Sequence, residues 1–272
     1  MSIIRCSALG NIMTEPKTKA EKEMGVLSKT TQSYLDELIF SYKYKREKSV
    51  SNKYTEKGVE TEDDGIHLLN LLHKSFYQKN EVRFENGTIT GEPDIITADT
   101  IIDIKSTYDF TTFIKKTEIE KSYYWQLCGY CLLTGMRKGA IAYVLNNTPF
   151  HIVENEFISL YYKRGAVELS DYEKAKIALG HIYHDRHIIN GEMRDGYWDY
   201  LAFHHFPNYQ EEQRQLLERG DITKKDLIEF VEVPMDKRLR YYTVEFSDNE
   251  FDKLQSQINK AVNYIQNKYE IF

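Results

Sequence analysis

The sequence is poor in cysteine, in proline and in long apolar runs, and each shortage excludes something. Three cysteines in 272 residues (Cys6, Cys128 and Cys131) are an odd number in a large chain, so no disulfide framework is expected. That usage fits a reducing compartment, and the expected location is the cytoplasm. The five prolines are scattered, and there is no low-complexity linker and no internal repeat. No apolar run approaches the roughly 18–20 residues of a membrane span, so no membrane partner is expected. The opening segment, MSIIRCSALG, is too short in its apolar part and lacks a small-residue cleavage site, so no signal peptide is expected.

Positive charge is also in deficit. Lysine and arginine number 36 against 42 acidic residues, a net charge of −6 and a pI of about 5.8. A protein that coats nucleic acid non-specifically needs cations in register with phosphates, so that class is disfavoured. A local basic groove around an acidic centre is not. What is present is an ordinary soluble balance, 41% hydrophobic and 29% charged, on a chain long enough for a sizeable core. Tyrosine outnumbers phenylalanine 21 to 13, which suits a surface that stacks or hydrogen-bonds.

Periodicity predicts helices over 6–24 with Ser7 as N-cap, 30–48, 56–78, 118–135 and 248–269. Three short strands are expected within 81–105 around two turns, Asn86-Gly87 and Gly91-Glu92-Pro93-Asp94, and further strands over 139–145 and 239–246. Residues 155–232 are charged and mainly helical. This order predicts an α/β (α+β) fold with a central mixed sheet flanked by helices. It also predicts one domain, with a core of about 1–154 and 236–272 and a helical insertion of about 155–235. At the end of the 30–48 helix, Lys43, Lys45, Arg46 and Lys48 interleave with Tyr42 and Tyr44. They read either as a solvated helix end or as a phosphate-contacting edge.

Three stretches carry chemistry. In the 56–78 helix, Val59, Ile66, Leu69, Leu72 and Phe76 form an apolar stripe, and Glu62 falls on it. Such a carboxylate either snorkels outward at the edge or needs a partner or a cation. Gly58, one turn earlier, would admit a close backbone or ligand. In the strand Ile101-Ile102-Asp103-Ile104-Lys105-Ser106, Asp103 and Lys105 share one face, and Ile102 and Ile104 the other. They form either an exposed ion pair or, as the isoleucines argue, part of a buried site. A hairpin between 94–97 and 101–105 would bring Asp94 beside Asp103. Two carboxylates so placed repel unless a divalent cation neutralises them, and hard oxygen ligands favour Mg²⁺ or Mn²⁺. Gln126 and Tyr130, four apart on the next helix, either hold phosphate oxygens, brace the lysine, or are packing polarity.

In order, these motifs are G-x-x-x-E (Gly58 to Glu62), G-x-P-D (Gly91 to Asp94), D-x-K (Asp103 to Lys105) and Q-x-x-x-Y (Gln126 to Tyr130). The set resembles the PD-(D/E)XK nuclease superfamily, and within it the phage recombination exonucleases of the lambda-exonuclease and YqaJ type, related to RecB nuclease domains. The resemblance covers about residues 1–150 and, more loosely, 239–269. It implies a restriction-endonuclease-like core and a Mg²⁺-dependent (or Mn²⁺-dependent) nuclease acting through two ions. Asp94, Asp103 and the Ile104 carbonyl would be metal ligands, and Glu62 would bind a second metal or its water. Lys105 would position the attacking water, with Gln126 and Tyr130 completing the catalytic set. Aspartate stands at position 103 where many relatives carry glutamate, a shorter arm that alters metal geometry.

The same resemblance implies linear double-stranded DNA ends as substrate, digestion from the 5′ end, and a phage or prophage role in recombination or repair. A homo-oligomeric ring of three subunits and a single-strand annealing protein are the implied partners. Arg5-Cys6-Ser7-Ala8 is similar to the segment that grips a terminal 5′-phosphate in such exonucleases. Ser7 as a simple N-cap is the competing reading. A restriction- or repair-type endonuclease shares the same core, and a non-cleaving DNA-binding module is the alternative of another class.

Two further patterns are read as structural. Cys128-x-x-Cys131, with only one more cysteine, cannot supply four thiolates, so the iron–sulfur cluster of some relatives is not expected. His181, His184, His187 and Asp185 resemble a metal cluster but lack an evident further ligand, and an amphipathic helix is the ordinary reading.

Overall fold

The computed structural model describes residues 4–46, 52–189 and 192–269. The chain opens with β1 (Ile4–Arg5), a 3-10 turn (Cys6–Ala8), α1 (Leu9–Ile12), α2 (Lys19–Glu23) and α3 (Lys29–Tyr44). Next come α4 (Lys53–Glu60) and α5 (Glu62–His73), then β2 (Phe84–Glu85), β3 (Ile89–Gly91), β4 (Ile95–Ile96) and β5 (Thr100–Ser106). They are followed by α6 (Phe110–Ile114), α7 (Lys121–Thr134), β6 (Lys138–Val144), α8 (Phe150–Lys163) and α9 (Asp171–Leu179). The hairpin β7 (His187–Ile189) and β8 (Glu192–Arg194) precedes α10 (Tyr197–His205) and α11 (Tyr209–Arg219), and the chain closes with β9 (Leu239–Glu245) and α12 (Asp248–Tyr269).

The central sheet has the order β4-β5-β6-β9, with β5 and β6 parallel and both outer pairs antiparallel. A second, three-stranded sheet runs β1-β3-β2. The mixed sheet flanked by helices is therefore as expected. Period-two alternation organises it. Ile101, Ile141 and Tyr143 point into a core shared with α7 and α12, while Ile102, Ile104, Ala140, Ala142 and Val144 pack under Ile66 and Leu69 of α5. The alanines on β6 let α5 lie close. At Gly65 a Cβ would come within 2.7 Å of Ile104 Cγ2. Residues of the 155–235 stretch, with Val153, build a third apolar cluster around Tyr172, Ala175, Trp198, Leu201 and Phe206.

Several sequence expectations change. The 6–24 stretch is not one helix, because Ile4 pairs with β3 and the chain must turn at once. Ser7 lies inside that 3-10 turn and is not the N-cap; Ala8 precedes α1 without a side-chain cap, and α2 starts afresh at a Thr18–Glu21 capping box. The 56–78 helix breaks at Thr61 (φ −106°, ψ 11°) and ends at His73, with Lys74 left-handed. The Thr61 hydroxyl contacts Ser106 Oγ at 2.7 Å, and Asn146 Nδ2 donates to the Thr61 carbonyl at 3.1 Å, which tie the break to the sheet. Val59 and Phe76 consequently leave the stripe and are 75% and 98% exposed. The chain from 181 to 186 is not helical, so His181, His184 and Asp185 are not on a helix face. The side chain of His187 and the whole of Lys48 lie outside the described residues.

Candidate active site

The β4–β5 pairing sets Ile95 opposite Ile102, so the next rung outward sets Asp94 opposite Asp103. β4 is only two residues long, and the Asp94 side chain takes over where its backbone ends. Its Oδ2 accepts the Ile104 N–H at 2.6 Å. Asp103 is 1% exposed. Its Oδ1 accepts from Gln126 Nε2 at 3.4 Å, and the same amide donates to the Tyr130 hydroxyl at 2.8 Å. Its Oδ2 lies 2.5 Å from Lys105 Nζ in an ion pair. Lys105 Nζ also sits 4.9 Å over the Tyr123 ring. Asp103, Lys105, Gln126 and Tyr130 thus meet in one place, on the β5 face that the alternation assigned them.

The electrostatics follow from burial. Desolvation, then the charge of Asp103, hold the Asp94 carboxyl well above the usual carboxylate range, with Lys105 opposing. Burial pulls the Lys105 ammonium down, but the charges of Asp103 and Asp94 outweigh it and keep its pKa above the ordinary lysine value. Burial and then Asp103 also push the Tyr130 phenol up, so it remains a hydroxyl at neutral pH.

Glu62 opens α5, and its Oε1 lies 3.0 Å from Lys79 Nζ, which also reaches Asp63 at 3.2 Å. Its charge is felt at Asp94. The oxygen-rich set fits a hard divalent cation, because the half-buried Asp94 carboxylate lies beside that of the buried Asp103, and each raises the cost of ionising the other. Glu62, Asp94 and Asp103 do not close to within 4.8 Å of one another. The trio that does, among the described residues, is Glu56, Glu60 and His151. That trio is largely solvent-facing and is accounted for by ion pairs from His151 Nε2 at 3.4 and 3.2 Å.

No family model matches the chain, and no curated protein matches it significantly. Solved structures do. A phage-related exonuclease from Haemophilus somnus 129PT aligns with a TM-score of 0.67 at 23% identity, over 100% of this chain and 97% of that one. The alkaline exonuclease LHK-Exo from Laribacter hongkongensis aligns with a TM-score of 0.56 at 10% identity, covering 98% and 90% of the two chains. LHK-Exo in complex with dAMP gives 0.56 at 12% identity with the same coverage.

The chain has the fold of these exonucleases.

On this exonuclease fold the other sequence candidates sit as follows. Arg5 is exposed at the end of β1 and Ser7 is exposed on the turn beyond it, on either side of buried Cys6. The Cys6 thiol is pushed up to about 12 by burial and then by Asp103, so this turn lies within reach of the carboxylate's field. Cys128 and Cys131 are buried, undisulfided packing residues of α7, as read from their helical spacing. Gly58 has open space around it, so no other part of the chain packs closely against it. Close approaches near the site include Gly65 and Gly91, where a Cβ at Gly91 would stand 2.5 Å from Tyr130 Cε1 and 2.8 Å from Cys6 Sγ. Sequence reasoning missed Gly65, which lets α5 approach Ile104, and Lys79, which pairs with Glu62. It also missed Lys57, a 1%-exposed lysine whose Nζ donates to the Tyr108 carbonyl at 2.9 Å. A lysine one turn before the Thr61 break carries no periodic signal of burial.

Proposed function

We propose that the protein is a divalent-metal-dependent deoxyribonuclease that removes nucleotides from the 5′ ends of linear double-stranded DNA, in phage recombination or repair. The observation that carries this reading is Asp94, tied to the Ile104 amide and coupled to the buried Asp103, with Lys105 on the same strand face as Asp103. Asp94, Asp103 and the Ile104 carbonyl would hold one Mg²⁺ or Mn²⁺, and Glu62, once parted from Lys79, a second. Cations held there would acidify water and offset negative charge on the scissile phosphate. The protein's own groups do the rest. Lys105, confined between Asp103 and the Tyr123 ring, is placed to donate to an attacking water or a phosphate oxygen. Gln126 spans Asp103 and Tyr130 and so fixes the carboxylate's orientation, while the protonated Tyr130 hydroxyl remains a donor.

Arg5 and Ser7, exposed beside the site, would grip a terminal 5′-phosphate. Residues 155–235 are read as a helical insertion into a single nuclease domain, a reading their own apolar cluster supports. A ring of three subunits, an annealing partner and a cytoplasmic place of action belong to the same proposal. Among the described residues no helix is long and apolar enough to cross a membrane.

The test is incubation with linear and with closed circular duplex DNA, each with Mg²⁺ and with EDTA. Metal-dependent loss of linear DNA alone supports the exonuclease. Cutting of closed circles replaces it with an endonuclease on the same core. No metal-dependent loss of either leaves only the non-cleaving DNA-binding reading. Comparing 5′-phosphate with 5′-hydroxyl ends examines Arg5 and Ser7.

A further inference from the structure

Across the first turn of α5 from the catalytic rung lies a cleft of about 820 Å³ that the chemistry above does not use. Thr61 lines it, and Glu62, the next residue, belongs to the catalytic set, so the two regions adjoin at the start of α5. The opposite wall comes from α10 and from the segment leading into β9, and includes Tyr197, Tyr200 and Arg238.

Arg238 is the feature that asks for a ligand. It is 8% exposed, and its Nε is buried without a hydrogen-bond partner. Its backbone is held on both sides, with its N–H donating to the Met235 carbonyl at 3.2 Å and its carbonyl accepting from Leu145 at 2.9 Å. The residue's backbone is therefore fixed at the cleft wall, and its Nε is a donor without a partner. Burial pulls its pKa down and the charge of Glu232 only partly offsets that. A buried arginine with an unmet donor, in a residue that lines a cavity, matches an anionic acceptor that can take charge-assisted hydrogen bonds from its guanidinium, and phosphate suits its fork. The acids in the cleft do not fill that role: Glu60 and Asp64 stand on the wall formed by α4 and α5, and Glu232 is not in hydrogen-bond contact with Nε. The volume is that of a pocket for a whole organic ligand, larger than a lone phosphate requires. Tyr200, 38% exposed and stacked on Tyr197 at an interplanar angle of 14°, presents a ring on which a base could lie.

We propose that this cleft binds single-stranded DNA, with Arg238 donating to a phosphodiester and Tyr200 stacking on a neighbouring base. This deepens the nuclease reading and rests on it, since a strand parted from its complement at the catalytic rung would meet this cleft past the start of α5, where Thr61 and Glu62 adjoin.

The experiment is fluorescence anisotropy of a short fluorescein-labelled oligothymidylate with the full chain in EDTA, where no cleavage occurs. Arg238→Gln and Tyr200→Ala are each expected to weaken binding about tenfold, as loss of one charge-assisted contact or one stacked base implies. Because a buried arginine variant can misfold, a 5-bromodeoxyuridine oligonucleotide is also photocrosslinked to the unsubstituted protein. Adducts in the peptides holding Tyr197–Tyr200 or Arg238 support the site. Unchanged affinity of a folded Arg238→Gln variant, or adducts confined elsewhere, overturns it. Binding of inorganic phosphate or a mononucleotide without affinity for the oligonucleotide overturns the DNA assignment. The readouts are independent of cleavage, so a chain that binds here yet leaves duplex DNA intact with Mg²⁺ overturns the nuclease reading alone.

Discussion

Asp94 and Ile104 are joined by a hydrogen bond from the Ile104 amide to the Asp94 carboxylate, 2.6 Å long. Because Ile104 stands between Asp103 and Lys105, this one bond holds both acids and the lysine in a single frame. It also makes Asp94 structural as well as chemical. Asp94→Ala should leave the Ile104 N–H without an acceptor and cost about 1–3 kcal/mol in denaturant unfolding, while Asp94→Asn, which can still accept, should cost clearly less. Both should lose cleavage. Equal stability of the two variants would contradict the bracing role.

Asp103→Asn should lower the cleavage rate by about a thousandfold or more, since it removes an anionic ligand from the buried rung. In EDTA its melting temperature should fall, because the Lys105 ammonium loses the Asp103 charge that lies 2.5 Å from it. Cleavage by the purified variant at the original rate would remove Asp103 from the chemistry.

Lys79 holds Glu62 by a partly exposed ion pair, 3.0 Å long. Such pairs are worth roughly 0.2–1 kcal/mol, so Lys79→Met should lower the Mg²⁺ concentration for half-maximal cleavage by about twofold to fivefold. A higher requirement would mean that Lys79 supports the metal-bound state instead of competing with it.

Gly65→Ala should destabilise the fold by about 1–3 kcal/mol, because its Cβ would sit 2.7 Å from Ile104 Cγ2 and push α5 off the sheet. Gly58→Ala, with open space around it inside α4, should instead stabilise by about 0.5–1 kcal/mol. Urea unfolding of the two variants measures the contrast, and equal effects would refute the packing at Gly65.

Lys57 supplies a pH dependence. Burial pulls its pKa down to about 7, with Asp109 opposing. Its ammonium is packed near the Tyr108 and Tyr183 rings, and its charge is felt at His181. The unfolded chain keeps this proton up to a pKa of about 10.4, so above pH 7 the unfolded state binds more protons and stability rises with pH. Lys57→Met should therefore be most favourable relative to the unsubstituted protein at or below pH 7. That advantage should shrink by up to about 1.4 kcal/mol per pH unit between pH 7 and 8.5. A difference independent of pH would show that Lys57 stays charged in the folded protein.

Much of the arrangement of Asp94, Asp103 and Lys105 was legible from local pattern. The alternation in Ile101–Ser106 places Asp103 and Lys105 on one face, and the turn at Gly91–Asp94 brings a second acid to the neighbouring strand, because strand side chains alternate faces and a short connection fixes the register. The four-residue spacing of Gln126 and Tyr130 likewise sets them on one helical face, where they share a hydrogen bond. Other features depend on approaches between segments far apart in sequence. The break at Thr61 reflects contacts to Ser106 and Asn146, and it turned Val59 and Phe76 outward despite their helical spacing. The ion pair of Glu62 with Lys79, the clearance at Gly65 and the open donor of Arg238 have no periodic signature. Local spacing determined which faces the acids and the lysine occupy; packing between distant segments decided which charges meet, since only the folded chain sets those distances.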